Sequence, residues 1–105
     1  WVASTREQFA ERLAEGLATR GAFALPQAIL WDMLDDFILV SDDEIRRAIV
    51  LFIEKAHTLA EAAGAAPLAA AVKMGDRWHG RNIALVLSGG NITPAQLREC
   101  LRGQP

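Results

Sequence analysis

The stretch from Asn82 to Pro94 constrains the fold more than any other part of this chain. Five apolar residues, Ile83 to Leu87, run without alternation into Ser88-Gly89-Gly90-Asn91, and Thr93-Pro94 follows. A short apolar run bounded by turn residues is the pattern of a strand covered on both faces. Thr93 suits an N-cap and Pro94 a first helical position, which predicts a helix to about residue 101. In open α/β sheets, ligands sit beyond the carboxyl ends of such strands, because glycines let backbone approach closely and a helix start offers unpaired N–H groups. The spacing itself leaves two readings open, a ligand loop and a glycine turn that binds nothing.

The preceding residues extend the same grammar. Ser4-Thr5-Arg6-Glu7 has capping-box spacing, and Phe9, Leu13, Ala14 and Leu17 recur at helical steps, predicting an amphipathic helix over about 5–20. Pro26, Ile29, Leu30 and Met33 predict a short second helix, with Trp31 read as a core aromatic. Phe37–Val40 is a second unalternating apolar run, predicting a strand. Ser41-Asp42-Asp43-Glu44 is another capping box, which accounts for its acidic residues without a metal. The helix it starts carries Ile45, Ala48, Ile49, Phe52 and Ile53 on one face and ends near His57, read as a structural histidine. An alanine-rich helix follows Glu61, and a polar connection holds Trp78 and His79 between Gly75 and Gly80. The expected fold is a small, helix-rich α/β unit in the order α-α-β-α-α-β-α. It has at least two parallel strands, about 37–40 and 83–88, joined by a two-helix crossover.

With 105 residues the chain suits a single domain, 1–105. A net charge of −2 gives no basic footprint for nucleic acid or an anionic membrane. The lone Cys100 has no partner for an internal disulfide, so the composition fits a reducing cytoplasm, and the thiol reads as a packing or surface residue. No apolar run approaches the roughly 18 residues of a membrane span, and no secretory leader pattern is present. The chain begins with Trp1 instead of Met, which raises the expectation of preceding sequence or of a longer parent. Two strands cannot cover the apolar helix at 45–56, so either such sequence or a homodimer partner is expected to do so.

Four landmarks now stand in order: AEGLAT at 14–19, LDDFILVSDDEIRRAI at 34–49, EKAHTLAEAAGAAPLAA at 54–70 and IALVLSGGN at 83–91. Together they resemble the C-terminal part of the catalytic domain in the threonine dehydratase and serine racemase family. These are pyridoxal-phosphate-dependent enzymes of fold-type II, the tryptophan-synthase-β-like superfamily. The resemblance implies that Ser88 hydrogen-bonds the pyridine nitrogen of the cofactor and that Gly89, Gly90 and Asn91 border the ring. It also implies that Glu61 lies near the ring and that Glu15 and Gly16 fall near the substrate pocket. A neutral hydroxyl does not hold the ring nitrogen protonated as a carboxylate would, which favours β-elimination over transamination.

The departures from the family pattern are equally specific. Ala62 follows Glu61 where the family often has proline, and Glu15 replaces an aspartate. The chain has two lysines, Lys55 and Lys73, and neither lies in the Lys-x-Arg-Gly-Ala setting of the Schiff-base lysine. A glycine tetrad for the cofactor phosphate is absent as well. The expectation is a partial or truncated dehydratase-like protein, with no catalytic residue or covalent cofactor attachment of its own and inactive alone. The alternative is a non-catalytic α/β module that acts through oligomerisation.

Overall fold

The computed structural model describes residues 2–4, as backbone, and residues 23–102. The helix expected over 5–20, with Glu15 and Gly16, lies outside the described residues. The described elements are β1 (Val2–Ser4), α1 (Ala24–Met33), β2 (Ile38–Val40), α2 (Asp42–Ala56), α3 (Ala62–Lys73) and α4 (Pro94–Arg102), with a 3-10 turn at Gly75–Trp78. The result is a small, helix-rich α/β unit.

The sheet differs from expectation in its partner. β2 pairs in parallel with β1, in the register Val2 to Ile38, Ala3 to Leu39 and Ser4 to Val40. The Ile83–Leu87 run forms no ladder among the described residues, so the predicted strand at 83–88 and its two-helix crossover from β2 are corrected. Burial explains why an apolar run alone misled. Ile83, Leu85 and Val86 are exposed, and only Leu87 packs onto the core. Paired strands need ladder partners and, for an all-apolar run, cover on both faces, and the described residues provide neither here. Among the described residues, β2 has its inner face covered and its outer one open: Val40 is buried while Leu39 is exposed.

Helix boundaries follow their local chemistry closely. The Glu44 N–H donates to Ser41 Oγ at 3.2 Å, and the Ser41 N–H donates to Glu44 Oε2 at 2.7 Å, completing the capping box of α2. The same reciprocal pair opens α4, where Gln96 N–H donates to Thr93 Oγ1 at 3.2 Å and Thr93 N–H to Gln96 Oε1 at 2.9 Å. α2 ends at His57 in the left-handed conformation, φ 51° and ψ 37°. α1 ends at Met33, and beyond it Asp36 accepts the Phe37 N–H at 2.8 Å and pairs with Arg77.

The core lies where α2, α3 and α4 meet the inner face of β2. Val40, Ile45, Ile49 and Cys100 are its largest fully buried side chains, and Ala65, Ala66 and Ala69 let α3 lie close against α2. Cys100 is thus a packing cysteine. Trp31 is corrected: it is 79% exposed, and no residue of α1 is buried. Helical spacing gave α1 an apolar stripe, but none of its side chains is buried, and Ile29 and Met33 stand exposed.

Arg46 ties two helices together, donating to Asp43 Oδ1 at 2.7 Å and to Glu99 Oε1 of α4 at 2.9 Å. Trp78 is half-buried in its turn, with the Arg77 guanidinium 5.2 Å from its ring centroid.

Candidate functional site

The start of α3 and the Ser88–Asn91 loop form one packed unit. Glu61 is the N-cap of α3, with extended backbone at φ −73° and ψ 166°. Its N–H donates to the Gly89 carbonyl oxygen at 3.0 Å, which ties the loop to the helix start. The next orphan donors of the helix are not capped by the Glu61 side chain. The Ile92 N–H donates to the Gly90 carbonyl at 2.8 Å, closing the loop just before Thr93 begins α4. The sequence-selected residues Glu61, Ser88, Gly89 and Gly90 are therefore brought together from positions about 27 residues apart in the chain.

The glycines of this loop are closely packed, Gly90 against backbone and Gly89 against the end of a side chain. A side-chain carbon on Gly90 would lie 2.8 Å from the Leu59 carbonyl oxygen, and one on Gly89 would collide with Glu61 Oε1. A third glycine faces them from the helix: a carbon on Gly64 would lie 2.6 Å from the Gly89 carbonyl oxygen and 3.2 Å from its nitrogen. No side-chain carbon tolerates the first distance without a shift of backbone. Sequence reasoning missed Gly64 and Leu59. A signal was present, since a glycine inside an alanine-rich helix costs about 1 kcal/mol relative to alanine and needs a packing reason.

Ser88 is exposed, and its hydroxyl has no hydrogen-bond partner among the described residues. A hydroxyl can donate one hydrogen bond and accept two, so it is free to meet a ring nitrogen. Asn91 is exposed beside it, and the Glu61 carboxylate is half-buried, lying against Gly89.

The other chemistry-bearing groups are committed elsewhere. Lys73 Nζ donates to the Leu39 carbonyl at 2.9 Å and to Glu44 Oε2 at 3.2 Å, pinning the end of α3 to the β2–α2 junction. Burial alone would raise the Glu44 pKa, but the Ser41 N–H and the Lys73 ammonium hold it below the usual value. Burial pushes the Cys100 thiol up, against a weaker pull from Arg46, so it is a poor nucleophile. His57 turns Nδ1 towards the Ile53 carbonyl, 3.2 Å away, and serves the helix end. A cleft of about 360 Å³ opens between α2 and α3, lined by Glu44, Arg47, Leu51, Glu54, Val72 and Lys73 among others. None of the loop residues borders it, and Glu44 and Lys73 on its rim are paired with each other.

Residues 2–89 match the family described as pyridoxal-phosphate dependent enzyme. The chain belongs to this family. The match runs through α3 and ends on Gly89, so it takes in Glu61, Gly64 and Ser88. Among its relatives is an L-threonine ammonia-lyase of Thermotoga maritima, 36% identical over 97 residues, which cover 87% of this chain and 24% of that protein. A second L-threonine ammonia-lyase, from Geobacter sulfurreducens, is 39% identical over 80 residues, 76% of this chain and 20% of its own length. The catabolic L-threonine dehydratase TdcB of Escherichia coli K12 is 34% identical over 82 residues, 76% of this chain and 25% of the enzyme. The chain thus spans about a quarter of the length of these curated relatives.

Proposed function

We propose that this chain supplies the pyridine-nitrogen side of a pyridoxal-phosphate pocket in a threonine- or serine-dehydratase-like protein. The observation that carries this reading is the unpartnered Ser88 hydroxyl, displayed on a loop whose backbone is anchored to the start of α3. Ser88 would meet the ring nitrogen, with Gly89, Gly90 and Asn91 along the ring and Glu61 near it. When bound, the cofactor supplies an electron sink for charge developing at the amino acid's α-carbon. The chain's own contribution is electronic and steric. A neutral hydroxyl leaves the ring nitrogen unprotonated, which tempers that sink and favours loss of a β-hydroxyl over transamination.

The lysines set the limit of the reading. Lys73 is held by Leu39 and Glu44, and Lys55 sits in the last turn of α2, outside any Lys-x-Arg-Gly-Ala setting. Neither is assigned to the cofactor, and this chain by itself is proposed to be inactive. Its setting would be the cytoplasm, where a lone thiol stays reduced.

Titration of the chain with pyridoxal phosphate tests the proposal. Saturable binding is expected, weakened roughly 5- to 10-fold by Ser88→Ala, the worth of one hydrogen bond of about 1 kcal/mol. Borohydride treatment should leave the mass unchanged, and threonine should yield no ammonia. Binding that ignores Ser88→Ala overturns the ring-nitrogen role, and a borohydride-stable adduct on either lysine overturns the assignment of inactivity.

A second reading is a non-catalytic module acting through association. It is favoured by α1, whose Leu25, Trp31 and Met33 are exposed. The two readings agree that this surface becomes covered, and they part on whether pyridoxal phosphate binds.

A further inference from the structure

We propose that Gly64 is a positioning residue, which places the Ser88 hydroxyl by letting the Gly89 backbone rest directly on the first turn of α3. The inference deepens the cofactor reading and rests on it. Gly64 is the third residue of α3, in a run that is otherwise alanine from Ala62 to Ala66. Alanine is the better helix former by about 1 kcal/mol, so a glycine here works against local stability. Its φ shows no left-handed conformation that would demand glycine. What demands it is space: a methyl group would sit 2.6 Å from the Gly89 carbonyl oxygen, which is backbone and has no rotamer to yield.

The consequence is directional. The Gly89 oxygen is the acceptor for the Glu61 N–H at 3.0 Å, so contact with Gly64 and the anchoring bond act on the same peptide unit. The Gly89 nitrogen, 3.2 Å from the same methyl carbon, belongs to the peptide that joins Ser88 to Gly89, so a shift of the Gly89 backbone would carry the serine with it. Gly90 is held against backbone too, since a carbon on it would lie 2.8 Å from the Leu59 carbonyl oxygen, whereas Gly89 faces only the movable end of the Glu61 side chain. At Gly64 and Gly90 a methyl group would meet backbone that has no rotamer to yield. Gly75, by contrast, has open space around it, so alanine there should disturb nothing.

The test compares pyridoxal phosphate with its deaza analogue, in which carbon replaces the ring nitrogen. If Gly64 places the Ser88 hydroxyl, the wild-type chain and Gly75→Ala prefer pyridoxal phosphate, and Gly64→Ala loses that preference. A merely destabilising change would weaken both compounds alike and keep their ratio. Amide exchange at Glu61 gives a readout without any ligand: it should speed up about tenfold or more in Gly64→Ala and stay unchanged in Gly75→Ala. Retention of both the preference and Glu61 protection in Gly64→Ala overturns the proposal. A wild-type chain that binds the two compounds alike overturns the ring-nitrogen reading instead, and the exchange comparison then decides whether Gly64 places the loop. Should Gly64→Ala fail to fold, a nuclear Overhauser effect between Gly64 Hα and the Gly89 N–H in the wild-type chain decides, and its absence overturns the contact.

Discussion

His57 ends α2 with φ 51°, in a region where a side chain is crowded and glycine is not. The Thr58 N–H reaches back to the Phe52 carbonyl at 3.1 Å, so the helix end is closed by backbone bonds that do not need the imidazole. His57→Gly should therefore stabilise the chain by about 0.5–1 kcal/mol, read as a higher urea midpoint; a lower one would mean the Ile53 contact matters more than the strain. Cys100 makes the opposite case. It is fully buried, so Cys100→Ser would place a hydroxyl in the apolar centre and cost about 1–3 kcal/mol. The wild-type thiol should also react with a thiol reagent far more slowly in the folded chain than in urea, since burial both blocks access and raises its pKa. Equal rates would contradict the packing.

Elements whose ends are written in local chemistry were legible in the sequence, and those defined by distant partners were not. The Ser41–Glu44 and Thr93–Pro94 starts were readable because a cap and its partner lie within one turn. β1 was invisible: three residues carry no period, and their pairing with Ile38–Val40 is made across more than thirty positions. The same limit applied to the site. Ser88, Gly89 and Glu61 were singled out through a resemblance spread over the chain, whereas Gly64 and Leu59 emerge only once the loop is seen resting on α3. The capping box of α2 also carries a pH dependence whose sign is fixed. Glu44 has a lowered pKa in the fold against an ordinary 4.5, so between the two values the unfolded chain binds more protons. Its contribution is present above about pH 4.5 and is lost as the pH falls through the folded value. Glu44→Gln keeps a capping side chain but removes the charge that faces Lys73. The variant should be less stable than wild type near neutrality and converge with it in acid. Parallel stability curves from pH 7 to pH 2 would refute this. Asp36, lowered mainly by its hydrogen bond from Arg77, adds acid sensitivity of the same sign that Glu44→Gln leaves in place.

At the scale of the molecule, burial is lopsided. The helices pack tightly around Val40, Ile45, Ile49 and Cys100, yet Phe23, Leu25, Trp31 and Met33 of the α1 region lie open, as do Leu39 and Val86. Single exposed apolar residues are ordinary, but a helix with ten residues and no buried side chain has no reason of its own to be rich in them. Water contact with this surface is unfavourable, at roughly 25 cal/mol for each Å² that association could cover. Because α1 has no buried side chain, Leu25→Glu with Trp31→Glu removes no packing from the described core. The expected outcome is a wild-type chain that self-associates with rising concentration in sedimentation velocity, and a double variant that stays monomeric with an unchanged far-ultraviolet spectrum. A wild-type chain monomeric at every concentration would show that these residues do not join copies of the chain. Association that persists in the double variant would shift the contact to another exposed apolar surface, such as the open face of β2 or the Ile83–Val86 run.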